Sequence, residues 1–421
     1  MPDLDAELET LREDLLDSVR APELAAVIDR SRQRTTRRRT QIGAVAAVLL
    51  VGAAIPVLRT ALRPLPDPAA PGTTFSVSPT TPTGPAWAPA TGTPFVYNIR
   101  WYDHQHGFAL RGSCDSGAAS TTCTSELLVT EDGERWHPRR LPDSSGTTVT
   151  GANWELAVLG QNHLVVQAPT LRYFSEDAGE HWRKVPVEPG QTVAAIPPGA
   201  LLESRCSVVT SFCRDLGELL VLLPDSGRTA TLATSPPLTH LAPGQIPAGD
   251  GGWWVSGTDP ATGRLMLAVS RDAGRSWTIS PVPAFTGTPF SGLTVVGTPQ
   301  AVYATAAGQL AGVKNGLLVI LRSIDGGKTW ERTWQAADGA EPRSIAGVPL
   351  AATDGRLLVS TETGALYASV DGGKTFAVDR SIGRLGSVEW HSGGYFGNVP
   401  GSSNYYWYSP DGVQWARFIV G

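Results

Sequence analysis

The chain has 421 residues, 41% of them hydrophobic and 17% charged, with Gly 46 and Pro 33. It is longer than one ordinary domain, has enough apolar side chain for a packed core, and carries the many turn residues that an all-β fold requires. A formal net charge of -5 gives no basic field to hold a phosphate backbone, so nucleic acid is not an expected partner.

The first expected element is a helix. Leu4, Leu8, Leu11, Leu15 and Val19 recur every three or four residues, the period of one helical face. Arg30, Arg32, Arg34, Arg37, Arg38 and Arg39 then form a basic block, so residues 1–40 read as an amphipathic helix followed by positive charge. Ile42 to Leu58 carries no charge; extended to Leu62 with Arg59 snorkelling, it makes a helix of about 30 Å, the thickness of bilayer hydrocarbon. Residues 41–62 are therefore predicted to span a membrane once. The arginines precede the span and only Arg59 and Arg63 follow it, which puts the N-terminus in the cytoplasm and the rest outside the cell membrane. A cleaved signal peptide is the competing reading, but its charged N-terminal region would be unusually long and no clear cleavage site precedes Pro64. Residues 63–94 hold nine prolines among Thr, Ser, Gly and Ala, the composition of an extended stalk that reaches roughly 100 Å at 3.1 Å per residue.

Beyond Phe95 the chain repeats. Thr130 to Trp136 reads TEDGERW, Ser175 to Trp182 SEDAGEHW, Ser270 to Trp277 SRDAGRSW, Ser323 to Trp330 SIDGGKTW, Ser369 to Phe376 SVDGGKTF and Ser409 to Trp415 SPDGVQW. Asp177 and Asp272 lie 95 residues apart, and LPDSGRTA around Asp225 sits midway as a worn copy. Asp132, Asp177, Asp225, Asp272, Asp325, Asp371 and Asp411 are then 45, 48, 47, 53, 46 and 40 residues apart. A four-stranded propeller blade needs roughly 40 to 50 residues, so residues 95–421 are expected to form a seven-bladed β-propeller. RLLVST (Arg356 to Thr361) and GALYAS (Gly364 to Ser369) read as two short strands before one such turn. The first and last copies are one residue shorter between Asp and Trp, which predicts tighter turns there.

The units resemble the Asp-box, or BNR repeat, with the pattern Ser/Thr-x-Asp-x-Gly-x-x-Trp/Phe. Ser and Asp side chains bond the backbone of their own turn, Gly supplies positive φ, and the aromatic opens the next strand. NIRWYDHQHGFAL (Asn98 to Leu110) and SVEWHSGGYFG (Ser387 to Gly397) resemble blade openings of photosystem II assembly and stability factor-like propellers. The resemblance implies a box between the third and fourth strands of each blade, on the outer rim and away from the channel, so these aspartates are structural. Strands counted from Phe95 leave an outer strand at Trp415 to Val420 and no obvious strand exchange to close the ring. Closure then rests on packing between first and last blades, or on Thr73 to Ser78 joining the last sheet.

Cys114 and Cys123, and Cys206 and Cys213, are close pairs that suit local disulfides in an oxidising compartment, with free buried thiols as the alternative. A metal site is not expected: no CxxC or His pair completes a tetrahedral set, and His104 and His106 read as turn residues. Sialidases also carry Asp-boxes, which implies a glycoside hydrolase as the enzymatic alternative. That family's Arg-Ile-Pro is missing, and Arg100, Tyr405, Tyr406 and Tyr408 fit blade packing as well as catalysis. GGKT at Gly326 and Gly372 lacks the first glycine of a phosphate loop, and no nucleophile elbow occurs. No catalytic residue and no cofactor is expected. The sequence reads as a membrane-anchored extracellular module that binds a protein or carbohydrate on a propeller face, with the Cys114 to Cys123 loop, opposite the boxes, as the candidate contact.

Overall fold

The computed structural model describes residues 94–116, 121–142, 154–168, 170–206, 216–391, 394–402 and 404–420. The helix expected in 1–40, the span at 41–62, the stalk and the Thr73 to Ser78 alternative lie outside the described residues. Among the described residues no helix is long and apolar enough to cross a membrane.

Seven four-stranded sheets follow one another as blades of a β-propeller. In blade 1 the strands are Pro94–Trp101, Gly107–Ser116, Thr121–Thr130 and His137–Arg139, antiparallel throughout, the first innermost. Alternation explains the build: Phe108 and Leu110, then Leu127 and Val129, point to one face of this sheet and pack on Trp154, Leu156 and Leu164 of blade 2. Each later interface buries side chains from two adjacent blades in the same way. Arg356 to Thr361 and Gly364 to Ser369 contain the middle strands of blade 6, Leu357–Ser360 and Leu366–Ser369. The Cys114 to Cys123 segment ends the second and third strands of blade 1, with the two cysteine backbones opposite each other in register, at the end of the sheet away from Asp132. Cys213 lies outside the described residues.

Six of the seven repeat turns share one device. The hydroxyl of Thr130, Ser175, Ser270, Ser323, Ser369 or Ser409 donates to the Asp two residues on, at 2.7 to 3.2 Å. The same hydroxyl accepts the N–H of the turn glycine at 2.7 to 2.9 Å. The four longer copies pass through two successive left-handed residues, such as Ala178 with Gly179 and Gly372 with Gly373; the first and last pass through one, Gly133 and Gly412. The indoles then reach backwards: Trp182 donates to the Arg140 carbonyl, Trp277 to the Thr234 carbonyl and Trp330 to the Ser280 hydroxyl, each in the preceding blade. A local turn motif thereby becomes a tie between sheets.

Blade 3 departs from the expected grammar. Its sheet runs Leu201–Cys206, Leu216–Leu222, Thr229–Leu232 and then Thr192–Val193, so the earliest strand lies outermost and pairs in parallel with Thr229–Leu232. The Asp225 turn therefore joins the second and third strands from the inner edge. Leu223 stands where the other copies have Ser or Thr, and backbone bonds alone close the turn: Gly227 N–H to Leu223 O and Leu223 N–H to Arg228 O, both 2.9 Å. Asp225 itself is exposed.

The carboxylates of these repeat turns give the fold an acid limit. Bonds donated by Ser276 and Ser270 hold Asp272 at about 2. Slight burial would raise Asp177, but bonds from His181 and Ser175 outweigh it and also leave the carboxyl at about 2. A folded value below the unfolded one means stability present above about pH 4 and lost as the pH falls toward about 2. The melting temperature is expected to hold from pH 6 to about pH 4 and to drop between about pH 4 and about pH 2; a flat profile over that window would contradict this role for the turns.

Candidate functional site

The inner strands surround a cavity of about 740 Å³, within the range of small-ligand sites. Blades 1, 2, 3, 4 and 7 supply its wall, among them Arg100, Glu155, Gln167, Glu203, Trp253 and Trp390. Arg100, Glu155 and Trp390 come from inner strands and Gln167 and Trp253 from the strands next to them, and the inverted blade 3 contributes through its inner strand Leu201–Cys206 and the Ile196 to Ala200 approach to it. The Trp390 indole reaches from the inner strand of blade 7 across the ring to the Pro247 carbonyl of blade 4, at 3.4 Å.

Two polar clusters border this space, one reaching it through Arg100 and His391 and the other through Glu155, Gln167 and Glu203. On one side Arg100 pairs with Glu389, which also lies 3.2 Å from His391. Burial alone would raise the Glu389 carboxyl, but His391 and Arg100 outweigh it and hold the group below the usual range. Burial pushes His391 the other way, below the ordinary imidazole value, and the Arg100 charge adds to that. On the other side Gln167 donates to Glu155 at 2.9 Å and accepts from Arg172 at 2.8 and 3.1 Å. Arg172 is almost wholly buried, also reaches the Thr229 hydroxyl at 3.3 Å, and stands 3.8 Å from Glu203. Burial pushes the Glu203 carboxyl up; Arg172 opposes this and the neighbouring Glu155 adds to it.

The residues singled out in the sequence fall in three places. Asp132, Asp177, Asp272, Asp325, Asp371 and Asp411 sit in their turns, each accepting from backbone N–H groups of the turn, and none of them lines the cavity. Arg100 lines the cavity. Tyr406 and Tyr408 pack in the seam between blades 7 and 1, and burial drives the Tyr406 phenol up to about 12, the opposite of an activated nucleophile. Among the arginines whose side chains are described only Arg100 lines the cavity. His106 is bonded to Asp103 at 2.9 Å and Gln161 at 2.7 Å, as a turn residue. Asp177, Glu180 and His181 bring ligand atoms within 4.8 Å of one another, yet His181 is 87% exposed and already bonded to Asp177. Sequence reading missed Glu155, Gln167, Arg172 and Glu203, single polar residues on inner or middle strands of blades 2 and 3.

No family model and no curated protein matches the chain. Among solved structures it is similar to YCF48 bound to D1 peptide, at 14% identity over 78% of this chain and 83% of that one, with a TM-score of 0.32. It is similar to Hadza microbial sialidase Hz136 at 13% identity, over 78% and 66% of the two chains, TM-score 0.35. BamB from Moraxella catarrhalis is similar at 12% identity, over 71% and 80%, TM-score 0.38. The fold of this chain stands on its own seven sheets.

Proposed function

We propose that the chain is a single-pass, membrane-anchored protein whose extracellular seven-bladed Asp-box propeller binds or scaffolds a protein or glycan partner. One observation carries this: the two arginines at the cavity are bonded and pre-positioned, Arg100 with Glu389 and Arg172 with Gln167 and Thr229, an arrangement that holds a shape rather than one that activates a nucleophile beside an acid. The uncharged run before Leu62 supports the anchor, and the arginines before it support the orientation. An outside location also suits a disulfide between Cys114 and Cys123 and another between Cys206 and Cys213.

A labelling enzyme fused to the C-terminus in intact cells, supplied with a membrane-impermeant probe, is expected to mark the partner at the cell surface. Labelling confined to the cytoplasm would overturn the orientation. Turnover of fluorogenic sialosides by the purified intact chain would replace the binding reading with a sialidase-like hydrolase.

A further inference from the structure

The two sides of the cavity differ in their charge balance. Arg100 is answered by Glu389, one cation to one anion. At the other end Arg172 is, among the described side chains, the cation set against two carboxylates, Glu155 and Glu203, with Glu155 close enough to help push the Glu203 carboxyl up. Arg172 spends its short bonds on Gln167 and Thr229 and stands 3.8 Å from Glu203, a distance that leaves the carboxylate only partly neutralised. Glu203 is 19% exposed, and it lines the cavity together with Glu155 and Gln167. A largely buried carboxylate with half a partner is costly, and a second cation entering from the cavity would remove that cost. The walls suit the stem of such a group: Trp253 and Trp390 give aromatic surface for an alkyl chain or a cation to lie on.

We propose that the Glu155 and Glu203 end of the cavity binds a primary ammonium or guanidinium group carried on a slender alkyl chain. This rests on the binding-module reading above and names the chemistry its cavity selects. The group is either the end of a lysine or arginine side chain of a polypeptide or a free alkylamine. The charge pairs with Glu203 and Glu155, Gln167 is already fixed between Glu155 and Arg172, and the stem fills the space beside the indoles. Arg172 positions Glu155 through Gln167 and stands beside Glu203.

The intact chain in neutral detergent is titrated by ligand-observed magnetic resonance with n-butylammonium, n-butylguanidinium and neutral n-butanol. A Gly-Ser-Lys-Ser-Gly peptide and its Gly-Ser-Glu-Ser-Gly counterpart complete the series. The cationic probes are expected to bind at least about tenfold more tightly than butanol, and the Lys peptide likewise over the Glu peptide. Glu203→Gln and Glu155→Gln should each weaken cation binding about tenfold, whereas Glu362→Gln, away from the cavity, should leave it unchanged. Glu203→Gln removes a buried charge, so its melting temperature should hold and the loss can be read as binding. A Lys peptide well above butylammonium assigns the group to a polypeptide; equal affinities assign it to a free amine. Equal binding of butanol and butylammonium, binding untouched by both Gln variants, or no cation binding up to about 10 mM would each overturn the proposal. Capture of a surface partner by the Glu203→Gln chain would still uphold the binding-module reading, with contact elsewhere on the propeller.

Discussion

Trp101→Ala is expected to destabilise the propeller by about 3–5 kcal/mol, the cost of deleting a large buried aromatic, and to open the ring at one place. No described strand of blade 1 joins the sheet of blade 7, so among the described residues it is side chains that join the two blades there. Trp101 is their centre: its ring lies 5.3 Å from Phe396 and nearly parallel to it, 5.1 Å from Phe418 edge-on and 5.6 Å from Trp136 edge-on. Ile99, Leu128 and Tyr406 complete the buried cluster. Chemical denaturation of the intact chain would give the magnitude, and amide exchange the location. Protection should fall first in Pro94–Trp101 and Tyr405–Ser409; an even loss over all seven blades would show that the seam is no weaker than any other interface. Tyr102→Ala, next in sequence but 39% exposed, should cost under about 1 kcal/mol.

Gly347→Ala carries the second large effect. Gly347 lies ahead of the inner strand of blade 6, at φ 77°, and bridges in parallel to Val388 of the inner strand of blade 7. Val348 N–H donates to Val388 O at 2.8 Å and Val388 N–H to Ala346 O at 3.1 Å, a backbone stitch between two blades. A methyl at 347 would stand 1.9 Å from the Val388 carbonyl oxygen, a contact only backbone movement can relieve. The substitution should cost more than about 3 kcal/mol, because left-handed strain and the broken stitch act together. Gly355→Ala separates the two causes: its φ is 87°, but nothing lies within 4 Å of the added carbon. About 1 kcal/mol is expected there from conformation alone. Equal losses at both sites, measured by denaturant midpoint, would show that the close approach to Val388 does not matter.

The architecture was legible in the sequence because its determinant is local. Ser, Asp and Gly within a few residues specify a turn whose hydroxyl and carboxylate bonds close inside it, and repetition at one spacing counts the blades. Blade 3 was legible only in number. Its outer strand is the dipeptide Thr192–Val193, too short to show a period, and parallel pairing with Thr229–Leu232 depends on residues 39 positions away. With Leu223 replacing the serine, the Asp225 copy gives no sign of which two strands it joins. The cavity was harder still. Glu155, Gln167, Arg172 and Glu203 meet because two sheets stand face to face around a closed ring, and each alone looks like an ordinary polar residue in a strand. Arg100 drew notice from its place on a candidate inner strand, while its partner Glu389 lies 289 residues away and has no motif to announce it.

Because Val420 packs into the same cluster as Ile99 and Trp101, the last strand of the wheel finishes beside the first. Which blade comes first is then a matter of connection rather than of packing. The first strand is about 23 Å long, so a tether of roughly ten residues from Val420 to Pro94 would close the segment 94–420 on itself, and that segment could be opened in the turn between any other two blades without rearranging a sheet. Chain order and ring order are separable in this protein, and circular rearrangement of its gene is structurally permitted.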